Sequence, residues 1–310
     1  MQAPDDFNPQ TGVPEVLEPG LRRILAPNPS PMTYRGTNTY LIGTQDLAVI
    51  DPGPKDARHL QAILDAVAPD QSISHILVSH SHLDHSPLAR DLADATGAPI
   101  YAFGGPVAGR SAVMAQLAEA GLAGGGEGID QGFAPDVCLA DGDILRGSDW
   151  ELKAIHTPGH LGNHLAFGWG DICFTADHVM GWASSLVSPP DGDLTDFMAS
   201  CRRLAARSWR VFYPGHGAPI DDPAGRLDWL IAHRLMRETA ILDILRKKAA
   251  TAATLARTIY TETPAALLPA AERNVFAHLV DLTSQSRIQP VGQLSVDAQF
   301  QLNPDACESP

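Results

Sequence analysis

Six consecutive residues hold the densest group of chemically active side chains in this 310-residue chain. The segment His80–His85 reads His-Ser-His-Leu-Asp-His and follows the apolar run Ile76–Val78 after a single serine. On an extended segment alternate residues face the same way, so His80 and His82 can point into one pocket as a pair of imidazole ligands. A strand that ends in such a loop is where a protein would build a divalent metal site.

The same segment also predicts where the next element begins. Asp84 and His85 precede Ser86-Pro87, which is typical of a helix N-cap followed by a first-turn proline. We therefore expect Asp84 and His85 at the mouth of a helix, beside the two preceding histidines.

Three further candidates follow strand-like runs at wide spacing. His160 ends Thr157-Pro-Gly-His, Asp177 ends Phe174-Thr-Ala-Asp, and His216 lies within Tyr213-Pro-Gly-His-Gly. Glycine and proline turns beside two of them let the backbone approach a site closely. Five histidines and two aspartates without paired cysteines suit an open, water-bearing metal site better than a closed structural one.

The ordered set HxHxDH, then His, Asp and His, resembles the signature of the metallo-β-lactamase superfamily. The resemblance implies two divalent metal ions, zinc first, with manganese or iron as alternatives. It implies one set of ligands for each metal and a bridging carboxylate: His80, His82 and His160; Asp84, His85 and His216; and Asp177 as the bridge. It also implies hydrolysis by a metal-bound hydroxide, with Asp84 as the candidate catalytic proton shuttle.

The remaining histidines carry weaker expectations. His164 and His178 lie near the expected ligands in sequence. Each could equally well support a ligand through a hydrogen bond or lie beside the site without any role. No role is assigned to the others, which are His59, His75, His156, His233 and His278.

Hydrophobic periodicity predicts a layered α/β domain. Helical spacing covers 56–68, 87–96, 106–120 and 194–207, and strand-like runs fall at 37–42, 47–50, 76–79, 99–103, 151–156, 163–169, 171–175 and 210–213. The glycine-rich stretch 124–128 predicts a flexible loop, either beside a substrate entrance or as a plain linker. Periodicity gives only α/β, and it is the family resemblance that implies an αββα sandwich.

The pattern changes near residue 222, which predicts a catalytic domain over 1–222 and a second unit over 223–310. Helical segments at 224–249, 251–260 and 273–283 precede a hairpin around Gln289–Gly292, and together they resemble a winged-helix α+β unit. In carrying such a unit after the metal-site motifs, the chain resembles the β-lactamase-like protein 2 group. That group also has the phrase Gly-Thr-Asn-Thr-Tyr-Leu near its start, which here is Gly36–Leu41.

Composition and charge limit the possible partners. Residues 1–225 hold 13 Lys or Arg against 27 Asp or Glu, whereas residues 226–310 hold 9 of each. The acidity disfavours indiscriminate polyanion binding by the catalytic domain. Four cysteines without CxxC spacing, no signal-like N-terminus and no membrane-length apolar run predict a cytoplasmic protein that does not enter a membrane.

Three functions remain open at this point. The acidic catalytic domain favours a hydrolase for an ester, thioester or lactone small molecule. The winged-helix-like tail and Arg246-Lys-Lys248 favour a single-stranded-RNA endoribonuclease, although cations at a helix C-terminus also suit the helix dipole. The third alternative is a partner-binding protein with minor catalysis, in which the tail binds a partner or closes a homodimer.

Overall fold

The computed structural model describes residues 6–125 and 128–304. Cys307 and the centre of the glycine-rich stretch 124–128 lie outside the described residues. Two sheets packed face to face form the body of the catalytic domain. The strand ends that precede the predicted site residues lie along one edge of the two sheets.

The first sheet has seven strands in sequence order. They are β1 (Glu15–Glu18), β2 (Leu21–Leu25), β3 (Asn38–Ile42), β4 (Asp46–Ile50), β5 (Ser72–Leu77), β6 (Ile100–Ala102) and β7 (Val137–Cys138). β1 to β4 pair antiparallel, and β4 to β7 pair parallel. Each parallel step needs a crossover, which α1 (Ala57–Asp65), α2 (Leu88–Thr96) and α3 (Ala112–Glu119) provide.

The second sheet has five strands in the order β12-β11-β10-β9-β8. They are β8 (Ile144–Arg146), β9 (Glu151–His156), β10 (Leu165–Trp169), β11 (Ile172–Ala176) and β12 (Val211–Pro214), and α4 (Leu194–Ala205) connects β11 to β12. β11 and β12 are parallel, whereas the other pairs are antiparallel.

Alternation along the strands produces the layers. In β3, Tyr40 and Ile42 face the second sheet in a core with Phe167 and Phe174, while Leu41 faces the layer of α1 and α2. In β11 the same alternation places Cys173 against α4. The order helix, sheet, sheet, helix confirms the expected αββα sandwich.

The C-terminal unit contains α5 (Pro223–Leu245), β13 (Ala250–Thr251), α6 (Ala252–Ile259), a 3₁₀ helix (Ala265–Leu267), α7 (Leu268–Ser284), β14 (Ile288–Pro290) and β15 (Gln299–Leu302). Its strands form a small antiparallel sheet in the order β13-β15-β14. The helices and this sheet share an apolar core that includes Leu255, Phe276 and Phe300, which confirms the winged-helix expectation.

The two units share apolar packing. Leu227 and Leu230, on the first half of α5, join the core beneath α4, and Met114 and Leu117 of α3 join the core of the C-terminal unit. The boundary between residues 222 and 223 therefore stays a prediction. Within the described part of the chain, no helix is long and apolar enough to cross a membrane.

One local expectation is wrong. Ser86 does not cap α2, because its one hydroxyl hydrogen is directed toward the His82 carbonyl and Asp130 Oδ2, which lie 3.2 and 3.0 Å away. The residue that immediately precedes the helix is Pro87, which offers no side-chain cap. The Ser86 hydroxyl thus fixes the shape of the histidine-rich loop.

Candidate metal centre

Four strand ends bring the seven predicted site residues to one place. His80, His82, Asp84 and His85 lie in the loop after β5, whereas His160 follows β9, Asp177 follows β11 and His216 follows β12. None of the seven residues is more than 7% exposed. Buried polar side chains are costly unless they are hydrogen-bonded, paired or bound to a metal. Apolar packing alone therefore does not explain this cluster.

The first group consists of three imidazoles around one point. The Nδ1 atom of His82 lies 3.0 Å from His80 Nε2 and 3.1 Å from His160 Nε2. Asp177 Oδ2 lies 3.7 Å from His160 Nε2. Only one hydrogen can lie between two facing ring nitrogens, so this arrangement suits lone pairs that converge on a cation.

The second group places two imidazoles against two carboxylates. His216 Nε2 lies 3.0 Å from Asp84 Oδ2 and 3.3 Å from Asp177 Oδ2, and His85 Nε2 lies 3.4 Å from both Asp84 Oδ2 and Asp177 Oδ1. Asp177 thus belongs to both groups, and within each group the candidate ligand atoms lie within 4.8 Å of one another.

Hydrogen bonds from the other ring nitrogen orient four of the histidines. The Nδ1 atoms of His160 and His216 face the carbonyl oxygens of Leu186 and Gly36, at 2.8 and 3.1 Å. Those of His80 and His85 face Ser79 Oγ and Asp51 Oδ2, both at 2.9 Å. A donor Nδ1–H leaves Nε2 free to bind a metal, which is the usual arrangement of a histidine ligand.

Asp51 is a site residue that sequence reasoning missed, because Asp51-Pro-Gly-Pro has the composition of a plain turn. The Asp51 carboxylate accepts the Ser79 backbone N–H and hydroxyl, both at 2.7 Å, in addition to facing His85. It is 2% exposed and has a positive φ of 51°. The sequence did offer one signal for Asp51, because its carboxylate directly follows the apolar strand β4, which runs toward the site.

Close backbone approach explains one of the glycines. A Cβ atom on Gly215 would lie 2.4 Å from Asp177 Oδ1 and 2.8 Å from His85 Cε1. Glycine is therefore required before His216, because any other residue would displace the Asp177 carboxylate.

The two groups differ in their electrostatics. Burial lowers the pKa of His82 to about 3 and that of His80 well below its usual range, so both rings are neutral at pH 7. Burial opposes a charge on His216, but Asp177 and Asp84 outweigh it and raise its pKa to about 10. Burial likewise opposes ionisation of Asp84, yet His85 and His216 hold its pKa below the usual range.

The donor set fits divalent cations. Asp84 Oδ1 is buried without a hydrogen-bond partner among the described residues, whereas Asp84 Oδ2 and both oxygens of Asp177 face the imidazoles of the second group. Carboxylates and neutral imidazoles in these proportions suit several first-row divalent metals. A cation at the second group would displace protons from His85 and His216, so its binding is coupled to pH.

The other histidines do not join either group. His164 is buried with Nδ1 facing Thr157 Oγ1 at 2.8 Å, and its ring centroid lies 5.1 Å from that of His80. His178 lies 3.5 Å from Cys201 Sγ. His156, half-buried, contacts the Gly162 carbonyl, and His59 faces Thr39 Oγ1 at 2.8 Å.

Comparison with known proteins shows the family to which the chain belongs. Residues 32–216 match the Metallo-beta-lactamase superfamily, and residues 251–295 match the Beta-lactamase associated winged helix domain. The chain is 30% identical to the Beta-lactamase-like protein 2 homolog of Drosophila melanogaster over 90% of this chain and 92% of that protein.

Two further relatives extend the comparison. The Atrochrysone carboxyl ACP thioesterase of Aspergillus fumigatus is 29% identical over 81% of this chain and 76% of that protein. A metallo-beta-lactamase family protein from Thermus thermophilus, 24% identical, superposes with a TM-score of 0.74 over 93% of this chain and 100% of its own. The chain belongs to the metallo-beta-lactamase superfamily and is a metal-dependent hydrolase with a C-terminal winged-helix domain.

Proposed function

We propose that the chain is a dinuclear hydrolase that cleaves an ester, thioester or lactone small molecule, with zinc as its metal. The observation that carries this proposal is the pair of buried His/Asp groups that share Asp177. Two such groups side by side suit a pair of cations that clamp one substrate oxygen and one water.

Each side chain has a proposed role. His80, His82 and His160 would hold one cation, Asp84, His85 and His216 the second, and Asp177 both. When bound, the cations would supply Lewis acidity, which polarises a substrate carbonyl and makes water nucleophilic near neutral pH. Asp51, which contacts His85 and Ser79, would orient His85 and hold the start of the loop 80–85 in place.

Asp84 is the proposed proton carrier. Its pKa lies below the usual range, so it is ionised at neutral pH and can accept a proton from the attacking water. In hydrolysis of a thioester the water oxygen bonds to the carbonyl carbon and the C–S bond breaks. The proton taken up by Asp84 then leaves with the thiol, which balances the reaction.

Two observations favour the small-molecule substrate. Relatives that align over most of the chain are named thioesterases, and the catalytic part of the sequence is strongly acidic. The RNA alternative depends on Arg246, Lys247 and Lys248, which lie at the end of α5, where Arg246 pairs with Asp243. Such a small basic surface would neutralise few phosphates.

A substrate panel tests the proposal. The zinc-loaded chain is assayed with an ester, a thioester and a lactone, and beside them with a labelled single-stranded RNA at several salt concentrations. We expect turnover in the panel and weak RNA binding. RNA binding with a log–log salt slope of about −0.7 for each of several phosphate contacts, with metal-dependent RNA cleavage and no turnover in the panel, would establish the nuclease instead.

Three associated expectations also stay predictions. The cysteine pattern favours a reducing, cytoplasmic setting, and Cys138, Cys173 and Cys201 are free thiols. A homodimer through the C-terminal unit and a domain boundary after residue 222 await solution measurements.

A further inference from the structure

A cavity lies between the catalytic domain and the winged-helix unit. Its volume is about 440 Å³. One wall is the segment 180–186, which follows Asp177 and His178, and the opposite wall is formed by α5 and by residues 267–274. A cavity of this size at a domain junction is typical of a small-molecule site.

The cavity wall and the metal centre share two chain segments. Leu186, which lines the cavity, accepts the Nδ1–H of His160 through its carbonyl at 2.8 Å. Trp182, also in the lining, packs so closely on Gly217 beside His216 that a Cβ atom there would lie 2.7 Å from the indole. The cavity therefore adjoins the chain segments that hold His160 and His216.

Aromatic and aliphatic side chains dominate the lining. Trp182 stacks on Tyr34 with ring centroids 5.3 Å apart, and Trp229 stacks on His233 at 4.9 Å. Burial and the nearby arginines lower the pKa of His233 to about 4, so this ring is neutral and adds to the aromatic surface. The Arg226 guanidinium also lies 4.3 Å over the Trp229 ring. These held aromatic side chains form an apolar wall that suits a flat apolar group.

Two hydrogen-bond donors in the lining have no partner within residues 6–125 and 128–304. Trp182 Nε1 and Arg237 Nε are both buried without a hydrogen-bond partner among the described residues. The Arg237 guanidinium lies 4.4 Å from the centroid of the Tyr260 ring, and the carboxylate of its chain neighbour Glu238 pairs with Arg287. Buried donors of this kind are costly unless a ligand supplies acceptor oxygens.

We propose that this cavity binds an aromatic acyl group that carries an anionic oxygen, with Arg237 as the residue that selects the anion. The assignment rests on the proposed hydrolase function, because the scissile carbonyl must lie at the metal centre while the aromatic body fills the cavity. Trp229 and Trp182 would pack against the aromatic body, and the Arg237 guanidinium would bind the oxygen.

Matched substrates test the proposal. The zinc-loaded protein hydrolyses three thioesters of one thiol: acetyl, 2-naphthoyl and 6-carboxy-2-naphthoyl. Arg237→Met should lower kcat/KM for the carboxylated substrate by about 10- to 100-fold, the scale of a lost charge-assisted hydrogen bond, and change the other two by less than about twofold. Trp229→Ala should impair both naphthoyl substrates and spare the acetyl one.

A matched control is available elsewhere in the chain. Arg207 lies 4.2 Å over the Trp209 ring, in the same geometry as Arg237 over Tyr260, but it is exposed and outside the cavity lining. Arg207→Met should leave all three substrates unchanged. Equal losses in the Arg207 and Arg237 variants would overturn the proposal.

Direct binding separates this proposal from the proposed function. Tryptophan fluorescence of the zinc-loaded protein reports binding of 6-(hydroxymethyl)-2-naphthoate, which carries the anionic group away from the metal-facing end, and of the neutral 2-naphthalenemethanol. Weaker binding of the carboxylated probe in Arg237→Met, with naphthalenemethanol unchanged, supports the cavity assignment even if no thioester is cleaved. Affinity for the carboxylated probe that is unchanged in both Arg237→Met and Trp229→Ala refutes it, even if the thioesters are cleaved.

Discussion

At the scale of single residues, Asp84 has the most demanding assignment, because it would hold a cation and also carry a proton. Asp84→Asn keeps the size of the side chain but removes its charge and basicity. We expect turnover to fall by about 100-fold or more, the scale of a positioned acid–base group. Steady-state kinetics of zinc-loaded protein measure this loss.

Metal content must be determined on the same Asp84 variant, since a lost cation would imitate lost proton transfer. His178→Ala provides the comparison, because His178 lies outside both ligand groups and should cost less activity. Activity close to that of the unmodified protein in Asp84→Asn would refute the role of Asp84.

Asp51 gives the second residue-scale prediction. Asn tolerates the left-handed backbone at this position but cannot accept the same hydrogen bonds as a carboxylate, so Asp51→Asn should misorient His85. We expect metal affinity to fall by about 10- to 100-fold, as for other residues that orient a ligand. Competition with a chromophoric chelator measures the affinity.

The control for Asp51 is Asp149→Asn, which changes a carboxylate that accepts hydrogen bonds from Thr44 at the surface. It should leave metal affinity unchanged. An Asp51→Asn protein that binds metal as tightly as this control would show that Asp51 does not orient the site.

The seven clustered residues could be located from sequence because their types and order are distinctive, but their orientation could not. Asp51 looks like any aspartate before a proline. Its role depends on Ser79 and His85, which lie 28 and 34 residues further along the chain. Such partnerships arise only when β4 and β5 pair in parallel.

At the scale of elements, the segment 178–190 connects the metal centre to the C-terminal unit. Arg234 on α5 donates to the Ser185 carbonyl at 2.5 Å and to Asn274 Oδ1 at 2.9 Å. Asn274 in turn accepts the Val187 N–H at 3.1 Å. These bonds flank Leu186, whose carbonyl orients His160, so the winged-helix unit supports a candidate ligand without supplying one.

Arg234→Met should therefore weaken cation binding at the group of His80, His82 and His160 by about tenfold or more. Asn274→Ala removes the same support from a less buried position and should act in the same direction. Calorimetric titration with zinc, with the melting temperature measured in parallel, tests both variants. Arg237→Met on the same helix is the control and should bind zinc normally.

Unchanged zinc affinity in folded Arg234 and Asn274 variants would show that the segment holds His160 without help from the C-terminal unit. Sequence patterns could not reveal this connection. Arg234 lies on a helix whose apolar residues were visible in the sequence. Nothing local indicates that Arg234 is only 2% exposed and that its guanidinium binds the Ser185 carbonyl of the other unit.

Strand prediction failed where charge interrupts the alternation. The pattern does not predict β1 and β2, because Arg22 and Arg23 make the segment Leu21–Leu25 look polar. In the structure Arg23 is buried, pairs with Glu15 at 2.5 Å and lies 4.8 Å over the Phe7 ring. Tertiary partners thus allow a strand that its own residues do not predict.

At the scale of the whole molecule, buried neutral histidines couple stability to pH. Burial lowers the pKa of His59 to about 4, and burial together with Arg234 lowers that of His278 well below its usual range. Unfolding returns each pKa to about 6.5. The unfolded state therefore takes up more protons, and stability falls as the pH drops below about 6.5.

His278→Leu isolates one of these groups, because both ring nitrogens of His278 are buried without partners among the described residues. We expect the free energy of unfolding to be unchanged or about 1 kcal/mol higher at pH 7, with a larger gain at pH 5. Urea denaturation at the two pH values measures it. If the variant and the unmodified protein lose the same stability between pH 7 and pH 5, His278 does not contribute to the pH dependence.

Metal stoichiometry coupled to turnover tests the central claim most directly. Chelator-treated protein is titrated with zinc while bound metal and thioester hydrolysis are measured together. The paired His/Asp groups around Asp177 predict about two equivalents per chain, with activity that appears as the sites fill. Binding of one equivalent or fewer at saturating zinc, or full hydrolysis by the metal-free protein, would contradict the dinuclear account.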